Sequence, residues 1–156
     1  MSNQPTATPA DAQVIMQLYD LRRESEMRKA RNFFGNFWPQ SADEVLKLMN
    51  NFAAQENAWF RQVLSYWEMV ASLYLRGALH EGLFLDTAGE MWFVFAKIRP
   101  YLAQMREASG FSDMLSKVEK AIEATPEGRE RLKTFEERIA KFAEMARSTR
   151  RASAAD

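Results

Sequence analysis

The stretch NAWFRQVLSYWEMVASLYLRG, residues 57–77, decides the fold of this chain. At about 100° per residue, its large apolar side chains cover roughly two-thirds of a helix circumference and leave one narrow polar strip. A helix with so much apolar surface has to be surrounded by other helices. We expect Gly77 to end it, because glycine adopts positive φ without a steric penalty. The sequence therefore predicts an all-α fold, a compact multi-helix bundle with this helix buried at its centre.

The composition indicates one globular domain without a strong electrostatic preference. The chain has 156 residues, of which 47% are hydrophobic, and its 21 basic residues balance 21 acidic ones. This balance gives no net field for binding nucleic acid or an anionic membrane. A helix-turn-helix among the short helices is the one nucleic-acid alternative that stays open. The absence of cysteine excludes a disulfide framework and thiolate metal sites.

No targeting or membrane segment is evident. No window approaches the ~20 consecutive apolar residues of a membrane span, and the start MSNQPTATPADAQ lacks the basic and apolar regions of a signal peptide. We therefore expect a cytoplasmic protein without membrane insertion. The predicted organisation is a disordered segment 1–8, a single helical domain 9–147 and a disordered tail 148–156.

Several local signals predict helix boundaries. Thr8 followed by proline is expected to begin the first helix, and Ser25 to cap a second, although one continuous helix is a close alternative. The pattern S-x-x-E from Ser41 predicts a capping box and a helix whose inward face extends to Phe52. A second largely apolar helix, 87–99, is expected to share the centre of the bundle, capped by Asp86 or Thr87.

The end of the chain predicts an amphipathic helix. Thr125-Pro126-Glu127 is a strong start signal, because a capping hydroxyl precedes proline and an acidic first turn. An apolar seam then repeats at spacings of three and four for about two heptads. Its members are Leu132, Phe135, Ile139 and Phe142. This seam either closes the domain or pairs with a second copy of the chain.

No constellation of residues predicts catalysis. His80 is the only histidine, so the two Glu-x-x-His motifs of a di-iron bundle are absent, and its place after a helix stop is typical of a surface turn. No serine elbow accompanies it, and the residues after Gly82 lack the lysine of a phosphate-binding loop. We predict no catalytic residue, no metal and no cofactor. An enzyme is the less favoured possibility.

The apolar helices also offer a candidate ligand cavity. Its predicted lining is Trp59, Trp67, Glu68, Trp92 and Phe95. Two aromatic residues of the preceding loop, Phe37 and Trp38, either plug an end of the core or gate this cavity. Glu68 has two readings: an ion-paired or solvated structural carboxylate, or part of a polar row that contacts a ligand.

Residues 65–106 resemble a family of bacterial all-helical domains of unknown function. The resemblance rests on SYWEMVASLYLRGALHEGLFLD followed by MWFVFAKIRPYLAQMR. The matching positions are Tyr66, Trp67, Glu68, Gly77, Leu83, Asp86, Trp92, Arg99, Pro100 and Arg106. This resemblance implies an all-helical domain, and it implies neither an established activity nor a catalytic residue.

These observations favour a non-enzymatic interaction or scaffold protein. We expect it to self-associate as a homodimer through the C-terminal seam, with a further protein partner possible. The alternative is a protein that binds a small apolar ligand in the aromatic-lined cavity. A filled core with an exposed seam would favour the first hypothesis, and a real cavity would favour the second.

Overall fold

The computed structural model describes residues 5–155, and within them it contains nine α-helices, one 3₁₀ helix at Arg99–Tyr101 and no β-strand. The helices are α1 (Pro9–Arg23), α2 (Ser25–Asn36), α3 (Ala42–Asn50), α4 (Gln55–Leu75), α5 (Glu81–Thr87), α6 (Gly89–Ile98), α7 (Leu102–Ser109), α8 (Ser116–Glu123) and α9 (Pro126–Ser153). The predicted all-α fold is confirmed. Residues 1–4 and 156 lie outside the described residues, so most of the predicted N-terminal disorder is not addressed.

The core is built around α4 and α6. Helix α4 packs mainly against α2 and α8, and α6 packs mainly against α9. Helix α6 contributes the most completely buried side chains, including Trp92 and Phe95, while α4 contributes Phe60, Val63 and Trp67. The predicted central position of the two apolar helices is therefore correct. Among residues 5–155, no helix is both long and apolar enough to cross a bilayer.

The end of α4 follows the prediction at Gly77. This glycine has φ of +72°. Its N–H donates to the Tyr74 carbonyl at 3.0 Å, and the N–H of Ala78 donates to the Leu73 carbonyl at 3.0 Å. This pair of hydrogen bonds is a Schellman motif, which satisfies carbonyl groups that have no partner inside the helix.

Two predicted helix starts are also confirmed. Thr8 and Asp11 form a reciprocal capping box on α1: the Asp11 N–H donates to the Thr8 hydroxyl at 3.3 Å, and the Thr8 N–H donates to the Asp11 carboxylate at 2.8 Å. The hydroxyl of Thr125 accepts a hydrogen bond from the N–H of Gly128 at 3.0 Å and begins α9. Both caps are local in sequence, which is why the sequence predicts them.

Other boundaries differ from the predictions. Glu24, not Ser25, caps α2, because its carboxylate accepts hydrogen bonds from the N–H groups of Glu26 and Met27, both at 3.0 Å. Residues 81–87 form a helix of their own, so the predicted caps Asp86 and Thr87 lie inside α5. Helix α6 starts after Ala88 without a side-chain cap.

Phe52 was expected to face inward, but it is 75% exposed. The reason is that α3 ends at Asn50 and Phe52 lies in the turn that follows. The hydrogen bond from the Ala54 N–H to the Asn51 carbonyl closes this turn, so Phe52 no longer lies on the inward face of the helix. The predicted disordered tail also differs from the structure, since α9 continues to Ser153. Arg147 donates to the Gln40 side chain at 2.6 Å, which ties this part of α9 to the start of α3.

Side chains from other helices complete several helix ends. Asn57 of α4 is fully buried, and its amide nitrogen donates to the carbonyl groups of Leu48 and Met49 at the end of α3, at 2.9 and 2.8 Å. Arg131 of α9 donates to the Leu85 carbonyl near the end of α5 at 2.7 Å. Buried carbonyl groups need such partners, so these helices depend on their neighbours for their ends.

Candidate functional site

A cleft of about 250 Å³ lies between α1, α4 and α5. We call it the α1 cleft. Its lining is Ile15, Met16, Leu18, Tyr19, Arg22, Tyr66, Trp67, Val70, Phe84, Thr87 and Ala88. Most of these side chains are aliphatic or aromatic, and one of them is charged. Concave apolar sites with a few polar groups are the usual form of small-molecule sites.

The cleft exists because α1 covers the bundle loosely. No residue of α1 is buried, although Val14 and Leu18 pack against the core. Two hydrogen bonds hold the last turns of α1. The Tyr66 hydroxyl donates to the Leu18 carbonyl at 2.6 Å, and Arg31 donates to the Arg22 carbonyl at 3.3 Å. Burial raises the pKa of Tyr66 to about 12, so its hydroxyl stays protonated and keeps donating.

An ion-pair network lies beside the cleft. Glu90 accepts three hydrogen bonds from Arg31: Nε lies 3.0 Å from Oε1 and 2.8 Å from Oε2, and Nη2 lies 2.5 Å from Oε2. Its Oε1 also accepts from Trp67 Nε1 at 3.2 Å. The hydrogen bonds to Glu90 raise the pKa of Arg31 above its ordinary value. Arg22 Nη1 lies 4.0 Å from Glu90 Oε2. Arg22, Arg31 and Glu90 together carry one net positive charge at the edge of the cleft.

Comparison with known families gives one match. The model of a domain of unknown function, DUF4760, matches residues 7–125. The chain belongs to the DUF4760 family. This match contains the predicted region of resemblance, 65–106, and the whole lining of the α1 cleft. No curated protein and no solved structure matches the chain. The DUF4760 match ends at Thr125, the cap of α9, so α9 lies beyond it.

The structure does not bring the five predicted cavity residues of the DUF4760 chain together. Trp92 and Phe95 are fully buried, and Trp92 Nε1 donates to the Gly128 carbonyl at 3.0 Å. Trp59 is half-buried near the surface, with its ring 6.1 Å from that of Phe33. Only Trp67 lines the α1 cleft. The sequence identified apolar helix faces, but it did not show which of their residues fill the core and which border a cavity.

The two loop aromatics, expected either to plug an end of the core or to gate a cavity, do not line this cleft. Phe37 stacks on Phe33 with ring centres 5.6 Å apart and meets Phe60 edge-on at 6.1 Å. Trp38 lies 5.9 Å from the Phe142 ring. Both belong to an aromatic cluster at another end of the core, in line with the expectation that they plug it.

Glu68 joins α4 to α8. Its carboxylate accepts hydrogen bonds from the N–H groups of Lys117 and Val118, each at 3.0 Å. The residue at the start of α8, Leu115, has φ of 56° and provides no side-chain cap. Glu68 therefore replaces the missing cap, in line with its structural reading. It also borders a shallow surface groove with Arg61, one of the residues of its polar strip.

His80 has two hydrogen-bond partners and a local structural role. Its Nδ1 accepts from the N–H of Leu83 at 3.3 Å and caps α5, while Nε2 lies 2.8 Å from the Pro5 carbonyl. The tautomer with the proton on Nε2 satisfies both contacts. Among residues 5–155, no group of three or more acidic or histidine side chains is arranged to hold a metal ion.

Lys97 is a feature that the sequence prediction did not single out. It is 3% exposed, and its amino group donates to the carbonyl groups of Phe34 and Gly35 at the end of α2, at 2.6 and 3.2 Å. Its Nζ lies 3.8 Å from the centre of the Trp38 ring and 5.2 Å from that of Phe93. The sequence did contain a signal for this buried lysine, because Lys97 follows the apolar residues of the segment GEMWFVFAKI.

Most residues of the predicted self-association seam pack against the core of their own DUF4760 chain. Leu132 is buried, and Phe135 and Ile139 pack against the core. Phe142 is 51% exposed and Met145 is 64% exposed. The first part of the seam thus closes the chain on itself, and only the part from Phe142 onward presents apolar surface to solvent.

Proposed function

We propose that this DUF4760 protein binds a small, mainly apolar molecule in the α1 cleft. The observation that carries the proposal is the cleft itself, an apolar space of about 250 Å³ under a helix that has no buried residue. This favours the ligand-binding alternative over self-association, since Leu132, Phe135 and Ile139 are used within the chain. Of the five cavity residues expected from the sequence, the proposed site keeps Trp67, and the other residues of the α1 cleft replace the rest.

The size and chemistry of the cleft support binding of a compact ligand. Sites for drug-sized ligands span about 300–1,000 Å³, so a cleft of 250 Å³ suits a smaller molecule. Its apolar walls include Ile15, Val70 and Phe84. Covering the exposed side chains of the lining, Met16 and Tyr19, removes apolar surface from water, which stabilises a complex by about 25 cal/mol per Å². The described lining holds no carboxylate or imidazole, which supports binding over acid–base chemistry.

A substitution that fills the cleft tests this proposal. Ile15→Trp places an indole in the space, and Gln17→Trp adds the same ring to an exposed position of the same helix outside the lining. Indole serves as a neutral probe, followed by ¹H–¹⁵N NMR. We expect saturable shifts at amides of the cleft, weakened about tenfold by Ile15→Trp and unchanged by Gln17→Trp. Shifts that do not saturate would contradict the proposal, and so would an affinity for indole that Ile15→Trp does not weaken.

A second candidate function is self-association through the exposed part of α9. Phe142 and Met145 are three positions apart, so they are neighbours on one helix face, and both are more than half exposed. Light scattering after size-exclusion chromatography tests this candidate with Phe142→Ser and Met145→Ser combined. We expect a wild-type dimer and a monomeric double variant. A wild-type monomer at all accessible concentrations would exclude this candidate.

A further inference from the structure

We infer that the ligand of the α1 cleft is a small organic acid whose carboxylate pairs with Arg22. This inference rests on the proposed function and adds the charge of the ligand to it. Arg22 is the one charged side chain in the described lining of the cleft. Arg22 can pair with a ligand only if no carboxylate of the protein already neutralises its charge.

The guanidinium group of Arg22 is enclosed but has free donors. Its side chain is 12% exposed, and its central carbon lies 5.2 Å from the Tyr19 ring centre and 5.4 Å from that of Trp67. These rings fix the group by cation–π contacts. Among residues 5–155, no side-chain hydrogen bond from Arg22 is formed, although a guanidinium group has five N–H donors. The nitrogens of Arg22 that make no hydrogen bond still reach solvent, so a ligand that enters the cleft can contact them.

The nearest carboxylate does not neutralise Arg22. Glu90 lies 4.0 Å away, but its oxygens are occupied by the closer contacts from Arg31 and Trp67. Glu90 balances one of the two arginines, so one positive charge remains beside an apolar space. An anion bound there would experience less screening than at an exposed site, because apolar walls exclude water and salt.

The shape of the site favours a carboxylate with an apolar body. The planar guanidinium fork matches the two oxygens of a carboxylate. A phosphate group carries more charge and usually recruits several donors, whereas the cleft offers one cationic side chain. The apolar lining residues, such as Ile15, Val70 and Phe84, would contact the apolar part of the ligand. An amphipathic monocarboxylate therefore satisfies both parts of the site.

Indole-3-acetate and indole-3-acetamide are matched probes, because they differ mainly in charge. We expect isothermal titration calorimetry to show the acid binding wild-type protein about tenfold more tightly than the amide, since charge-assisted hydrogen bonds are the stronger ones. Arg22→Gln should remove this preference, so that acid and amide bind the variant with similar affinity. Arg23→Gln is the control, because it removes the same charge from an exposed neighbour outside the lining.

The outcomes separate the two proposals. If acid and amide bind in the cleft equally, the inference about the acid fails and the ligand-binding proposal stands. If neither binds, both fail. Should Arg22→Gln unfold, the wild-type protein still decides, since acid binding has to shift the NMR signal of the Arg22 Nε–H. Tight acid binding without that shift would overturn the inference.

Discussion

The amino nitrogen of Lys97 lies 3.8 Å from the centre of the Trp38 ring, in a position where the lysine is almost fully buried. Its hydrogen bonds go to the carbonyl groups of Phe34 and Gly35, so a side chain of α6 completes the end of α2. Burial lowers the pKa of Lys97 from 10.5 to about 7. The ring and the carbonyl dipoles favour the charged form, which opposes part of the effect of burial.

The lowered pKa makes the stability depend on pH. Between about pH 7 and pH 10 the unfolded chain binds more protons at Lys97 than the folded protein, so the free energy of unfolding rises with pH by up to ~1.4 kcal/mol per unit. Urea denaturation across this range measures the slope. Lys97→Met should remove this contribution to the pH dependence. Lys133→Met, which replaces an exposed lysine, should leave the pH dependence unchanged. Equal slopes in wild type and Lys97→Met would show that the pKa is not lowered.

Glu68 should stabilise the protein through its contact with α8. Glu68→Gln removes the charge that faces the N–H groups of Lys117 and Val118, and we expect it to lower the free energy of unfolding by about 1–2 kcal/mol. Ser65→Ala, at an exposed position of the same helix, should change it by less than about 0.5 kcal/mol. Denaturation at neutral pH compares them, and similar effects of both would refute the capping role.

Two glycines should respond to alanine in opposite directions. Gly77 has φ of +72°, so Gly77→Ala should lower stability by about 1 kcal/mol through backbone strain, although space around it is open. Gly35 lies in α2 with no atom within 4 Å of an added Cβ. Gly35→Ala should therefore raise stability by roughly 0.5–1 kcal/mol. Thermal denaturation tests both, and a stabilising Gly77→Ala would contradict the Schellman ending.

The C-terminal seam should divide into a structural part and an exposed part. Leu132→Ala empties a buried position and should cost about 2–4 kcal/mol, as for other buried leucines. Phe142→Ala alters a half-exposed ring beside Trp38, so its cost should be smaller, about 1 kcal/mol. Chemical denaturation of the two variants gives the comparison. A larger effect of Phe142→Ala would show that the exposed part holds α9 in place.

The fold was predictable where its signals are local. Thr8, Gly77 and Thr125 mark helix ends through hydrogen bonds to residues within a few positions, and each boundary is confirmed. The start of α8 could not be predicted this way, because Glu68 supplies its cap from another helix. The split between α5 and α6 depends in the same way on packing.

The candidate site was harder to predict than the fold. The α1 cleft joins residues of three helices, and Arg22, on a weakly amphipathic helix, looked like one of many surface arginines. Trp92, Phe95 and Trp67 have the same sequence character and all three are buried, yet only Trp67 also lines the cleft. Periodicity shows which face of a helix is apolar, but the packing of three helices decides where space remains.

Helix ends completed by other helices affect how the chain folds. Helix α3 has nine residues and α8 has eight, lengths at which isolated helices are marginal in water. Their ends are completed by Asn57 and Glu68, both on α4. Neither short helix can therefore persist ahead of α4, and a peptide of either one alone should be a random coil. Secondary and tertiary structure have to form together, which makes α4 the expected nucleus of a cooperative folding transition.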